Sequence, residues 1–99
     1  MAEYYSSGNW QVTAGREDEF VEKWTQFLQE TRKNHAAMLV GTLLRDQTVP
    51  GHFVSIAEWA DEASRATWKS SPEFAAGLGA CKALCDTFTG SDYARAATI

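Results

Sequence analysis

Basic residues are the minority charge in this chain, and that shortage narrows the range of partners at once. Nine Lys and Arg stand against 13 Asp and Glu, a formal net charge of −4, and the nine are scattered. A polyanion is gripped by clustered cations that displace its counterions, so no nucleic acid partner is expected. No apolar run approaches the roughly 20 residues that a membrane-spanning helix needs, so no membrane span is expected either. The stretch Met1-Ala2-Glu3-Tyr4-Tyr5-Ser6-Ser7 carries neither a basic region nor an apolar core, which leaves a cytoplasmic location as the expectation. Cysteine is scarce: Cys81 and Cys85 cannot build the disulfide framework of a small secreted protein, and reduced thiols are expected. Their i, i+4 spacing puts both on one face of a helix as small packing residues. His35 and His52 are the only histidines, and no second cysteine pair exists, so no metal site is expected. There is no glycine-rich phosphate loop and no G-x-G-x-x-G step, hence no nucleotide cofactor.

What remains is an ordinary globular composition. With 99 residues, 44% apolar and 22% charged, the chain reads as one domain over residues 1–99 with no linker or internal repeat. A domain this small buries only about two-thirds of the surface its unfolded chain exposes, which makes a partner surface a common remedy.

Asn9-Trp10-Gln11-Val12-Thr13 alternates polar with apolar residues and stops at Gly15, the pattern of a first strand. From Arg16 to Lys33, Phe20, Val21, Trp24, Phe27 and Leu28 form one stripe at helical period, with acids in the first turn and bases in the last. Met38–Leu44 and Phe53–Trp59 are two apolar runs joined through Pro50-Gly51, which fits the centre of a type II turn and predicts an antiparallel hairpin. Both faces of these strands carry apolar residues, so both want cover. Asp61 is a good N-cap for a helix that Ser71-Pro72-Glu73 interrupts and restarts, its second half running through Phe74, Leu78, Cys81 and Cys85. Gly77 and Gly79 weaken that half, which predicts that it moves or approaches something closely. A last strand is expected over Tyr93–Thr98.

The order β-α-β-β-α-β gives an α+β, ferredoxin-like split β-α-β fold, a four-stranded antiparallel sheet with both helices on one face. Its bare apolar face predicts a homodimer packed sheet to sheet, a barrel shared between two chains.

The residues also resemble a known family over almost the whole chain. Gly15-Arg16-Glu17-Asp18-Glu19-Phe20 with Trp24 is similar to that family's opening helix. Arg45-Asp46, His52-Phe53-Val54-Ser55-Ile56-Ala57-Glu58-Trp59 and Trp68-Lys69-Ser70-Ser71-Pro72-Glu73-Phe74 resemble its strand-three and helix-two signature. On these the chain is identified as a member of the antibiotic-biosynthesis-monooxygenase family, a dimeric α/β barrel. The resemblance implies a small pocket between sheet and helices and, for catalytic members, oxygenation with no metal, haem or flavin. An electron-rich aromatic substrate loses a proton and its anion gives an electron to dioxygen in a dry pocket.

Carried over residue by residue, the match is partial. Members that oxidise anthrone-like polyketides have Asn and Trp four apart on helix two and Tyr six residues later, where this chain has Ser64, Trp68 and Phe74. The haem-degrading branch has an axial histidine where this chain has Leu78, which disfavours haem. The candidate catalytic residues are Asn9 as a donor, His52 as a base and Trp68 as a stacking platform; Trp59, Ser64, Phe74 and Leu78 are expected around the substrate. Each also has a plainer role: turn residue for Asn9, solvated hairpin end for His52, core packing for the tryptophans. The expected activity is a cofactor-independent monooxygenase acting on a small aromatic, polyketide or quinol-type metabolite with O2. The alternative is a non-catalytic ligand-binding or accessory domain of the same fold.

Overall fold

A computed structural model describes residues 3–99; Met1 and Ala2, part of the stretch read above for a leader, lie outside the described residues. The elements are β1 (Tyr4–Val12), α1 (Glu17–Asn34), β2 (Met38–Arg45), β3 (His52–Trp59), α2 (Glu62–Lys69), α3 (Pro72–Lys82) and β4 (Cys85–Ala94). Four strands form one antiparallel sheet in the order β2-β3-β1-β4. This is the α+β, ferredoxin-like arrangement that the pattern predicts. Among the described residues no helix is long and apolar enough to cross a membrane.

The local signals act as their chemistry requires. Gly51 has φ 76°, and the His52 amide donates to the Val49 carbonyl, closing the hairpin turn that Pro50-Gly51 announces. Asp61 Oδ1 accepts from the Ser64 amide at 2.7 Å, and Ser71 Oγ from the Phe74 amide at 3.2 Å with Pro72 at the first turn of α3. α1 buries Phe20, Trp24 and Leu28 as its stripe predicts, and Thr31 continues that stripe one turn further.

Three boundaries differ from the sequence reading. β1 begins at Tyr4 rather than Asn9: its inward positions ahead of Trp10 are the small Ser6 and Gly8, because the indoles of Trp59 and Trp10 fill the space above them. β4 spans Cys85–Ala94 instead of Tyr93–Thr98, since it pairs with β1 along that strand's whole length. α3 accordingly ends at Lys82, so Cys85 opens a strand and does not share a helix face with Cys81; the two stay close, Cys85 Sγ donating to the Cys81 carbonyl at 3.4 Å. Both are free thiols.

The core lies between the sheet and the helices, centred on Trp59, Phe20, Phe53, Val12 and Cys81. β3 shows the strict two-residue period of a half-covered strand, burying Phe53, Ser55, Ala57 and Trp59 while Val54 and Ile56 face away. Val54 and Ile56 pair with Leu44 and Thr42 of β2, and Val40 and Leu44 stand exposed on that outer face.

Candidate functional site

Between the sheet and the helices lies a cavity of ≈ 160 Å³. Its floor is possible because Gly8 of β1 and Gly90 of β4 are cross-strand partners, which leaves the sheet without side chains at that point. Beside them stand the buried hydroxyls of Ser6 and Ser55. The wall is aromatic and aliphatic: Trp24 and Phe27 from α1, Trp68 from α2, Phe74 and Leu78 from α3, and Phe88 from β4.

Three of the four indole protons have an acceptor in this region. Trp10 Nε1 donates to Ser55 Oγ at 2.9 Å, Trp59 Nε1 to Ser6 Oγ at 3.1 Å, and Trp68 Nε1 to Thr31 Oγ1 at 3.1 Å, while the Thr31 hydroxyl donates to the Phe27 carbonyl at 2.9 Å. Trp68 is further held by Phe74 edge-on at 4.6 Å, Trp59 at 5.1 Å and Phe27 stacked at 5.8 Å between ring centroids. These rings are fixed before any ligand arrives. A hydroxyl that accepts one proton keeps its own, so Ser6 and Ser55 remain able to donate toward the cavity.

Among the described residues Lys69 is the only charged one lining the cavity, and no histidine or carboxylate lines it. Its ammonium pairs with Asp92 Oδ1 of β4 at 2.5 Å; Arg65 Nε stands 3.9 Å from the same oxygen, its Nη1 donating to the Tyr5 and Tyr93 carbonyls.

Of the residues anticipated from the sequence, Trp68, Phe74 and Leu78 meet at this cavity. Trp59 is wholly buried behind Trp68 and does not line it. Ser64 lies on α2 outside it, its amide engaged by the Asp61 cap. Asn9 and His52 face the opposite side of the sheet. Asn9 precedes Trp10, whose ring points to the helices, so the pleat turns Asn9 outward, and His52 precedes Phe53 in the same way. There they make a cluster of their own: His52 Nδ1 lies 2.7 Å from Asp46 Oδ2, and Nε2 lies 2.6 Å from Asn9 Oδ1. The His52 hydrogen bond, with backbone amides of Thr48 and Val49 on Oδ1, holds the Asp46 carboxyl down at about 2.

The sequence reading passed over Ser6, Gly8, Ser55, Lys69 and Gly90. The serines and glycines carry no local signal. Lys69 lay inside the helix-two signature but looked like an ordinary last-turn cation. Gly77, read as a weak point, has a packing cause: a Cβ there would sit 2.1 Å from the Phe27 ring. Among the described residues no group of three or more His, Cys, Asp or Glu could hold a metal ion.

Known proteins give the same outline. SnoaB, a cofactor-independent oxygenase from Streptomyces nogalater, superposes with TM-score 0.85 at 21% identity, covering 100% of this chain and 98% of its own. A conserved protein from Methanosarcina mazei Go1 gives 0.83 at 19% identity over 96% and 94% of the two chains. PA3566 from Pseudomonas aeruginosa gives 0.76 at 16% over 98% and 97%. At such identities the likeness is one of fold. No curated protein sequence matches the chain. The family model for antibiotic biosynthesis monooxygenase, however, matches residues 4–79, three of the four strands and most of the helices that wall the cavity. The chain belongs to the antibiotic biosynthesis monooxygenase family.

Proposed function

We propose that the protein is a cofactor-independent monooxygenase that oxidises a small aromatic or quinol-type metabolite with O2. The observation that carries this reading is the preformed cavity of ≈ 160 Å³, walled by aromatic rings, with Ser6, Ser7, Ser55 and Lys69 as its hydroxylic and charged lining. Its size sets the scale of the substrate, because an apolar cavity of about 150 Å³ holds one benzene. One aromatic ring is enclosed, and any further ring projects through the mouth.

Trp68 serves as a stacking surface rather than a proton donor, since its N–H is committed to Thr31. Water exclusion keeps an electron-rich ring anion unsolvated and reactive. That anion passes one electron to dioxygen, and the two radicals join as a peroxide. For a ring CH2 the O–O bond then breaks with loss of water, one oxygen staying as the carbonyl and the other leaving in that water. Ser6 and Ser55 donate to the oxygen on which charge develops.

A second reading is favoured by one observation: among the described residues no histidine or carboxylate lines the cavity to take up a proton. The same pocket would then bind an aromatic ligand without turnover. Oxygen uptake with anthrones, dihydroxynaphthalenes and quinols in the absence of any added cofactor separates the two. Catalysis predicts uptake that falls with Trp68→Ala, with about 1 to 3 kcal/mol of ring binding lost, the range known for stacking on an aromatic side chain. Binding with no uptake across the panel establishes the accessory reading.

The exposed Val40 and Leu44, with Val54 and Ile56 beside them, support a homodimer packed outer face to outer face. Light scattering is expected to report twice the 11.0 kDa chain mass. A dilute sample that remains folded at the single-chain mass excludes it.

A further inference from the structure

We infer that Lys69 makes the cavity selective for anionic aromatic ligands, receiving a phenolate or carboxylate at the mouth in exchange for its contact with Asp92. This rests on the cavity being a site for one aromatic ring.

Three observations converge on it. Among the described residues Lys69 is the sole charged one lining an otherwise apolar and hydroxylic cavity, so discrimination by ligand charge falls to it. Among the described residues no imidazole or carboxylate lines the cavity to remove a proton inside, which favours ligands that arrive already ionised. The lysine also has a shared partner outside the lining: Lys69 and Arg65 both approach the Asp92 carboxylate, at 2.5 and 3.9 Å.

The exchange has a workable balance. Arg65 is anchored by the Tyr5 and Tyr93 carbonyls and stays beside Asp92 when Lys69 turns away, so the carboxylate keeps a cation. The Lys69 side chain is 31% exposed and sits on a flexible stem, which lets its ammonium swing between Asp92 and a ligand oxygen. The ring then lies inward on the aromatic wall and the charged group outward. A bare tether between α2 and β4 would have no such preference.

Calorimetric titration at neutral pH with 2-naphthoate and its uncharged counterpart 2-naphthamide tests this. The protein as it stands is expected to bind the carboxylate at least about tenfold more tightly, the scale of one hydrogen bond to a charged group. Lys69→Met is expected to erase that preference by weakening naphthoate binding about tenfold or more, whereas Asp92→Asn, which releases the lysine, is expected to increase it. A tether alone predicts that both substitutions shift binding in the same direction, and that result overturns the inference. Equal affinity for the two ligands in the unsubstituted protein, or a preference that survives Lys69→Met and Lys69→Gln, overturns it too while leaving the ring site standing. Absence of binding by either ligand removes the ring site, and the selectivity with it.

Discussion

The indole of Trp10 reaches Ser55 Oγ at 2.9 Å across the backbone of Gly8, where a Cβ would lie 2.5 Å from the indole nitrogen and 2.7 Å from the serine oxygen. The glycine therefore secures the hydrogen bond and the cavity floor together. Gly8→Ala is expected to push the ring off its acceptor, costing about 1 to 3 kcal/mol of stability, the usual range for overpacking. Ser55→Ala is expected to cost about the same, since it strands a buried indole proton. Because both act on one contact, urea denaturation of the double substitution should show less than the sum of the two. Simple additivity would mean that Gly8 acts by some other route.

How much of this was legible beforehand follows from which signals are local. The Pro50-Gly51 turn, the Asp61 and Ser71 caps and the Phe20, Trp24, Leu28 stripe depend on neighbours within a few residues, and each appears as its chemistry requires. Trp68, Phe74 and Leu78 share one wall because helical spacing and the family signature both place them there. The buried serines were silent, their partners being 45 and 53 residues away. A serine on a core face looks like the end of a strand until the tryptophan above it is known. For the same reason β1 was begun too late, and with it went the knowledge of which face Asn9 shows, since adjacent strand residues point oppositely. β4 hid because Asp86, Thr87, Thr89 and Ser91 are polar; its partner β1 specifies it more than its own side chains do.

The two glycines of α3 should respond to alanine with opposite signs. At Gly79 a Cβ meets nothing within 4 Å, so Gly79→Ala should gain up to about 1 kcal/mol from helix propensity alone. At Gly77 the added carbon would enter the Phe27 ring at 2.1 Å, and overpacking of about 1 to 3 kcal/mol should outweigh that gain. Thermal unfolding of the two single substitutions decides it: a rise for Gly77→Ala would show that α3 is free to lift away from α1.

Acid should act on the outer face through Asp46. Its carboxyl is held at about 2 against an ordinary 3.8, mainly by the His52 hydrogen bond and then by the Thr48 and Val49 amides. A depressed carboxylate contributes stability that is fully present above the unfolded value and is lost as pH falls through the folded one. The contribution of Asp46 should therefore disappear between about pH 4 and pH 2. Asp46→Asn, which cannot titrate, should be less stable than the parent at neutral pH and should converge with it toward pH 2. Parallel stability curves down to that pH would show that the carboxylate contributes nothing.

The thiols should be inert while the fold is intact. Burial, reinforced by the neighbouring Cys85 thiol, pushes Cys81 up to about 12, and burial with the nearby Asp86 carboxylate pushes Cys85 up to about 11. Alkylation proceeds through the thiolate, which at pH 8 would then be about one part in a thousand of Cys85 and less of Cys81. Cys81 is also fully shielded from solvent. Iodoacetamide at pH 8 should accordingly label the native protein slowly at Cys85 and at Cys81 only through unfolding, so that Cys81 labelling follows the population of open molecules as urea is added. Peptide mapping at intervals distinguishes the two sites. Rapid labelling of Cys81 without denaturant would mean that the junction of α3 and β4 opens far more readily than the rest of the core.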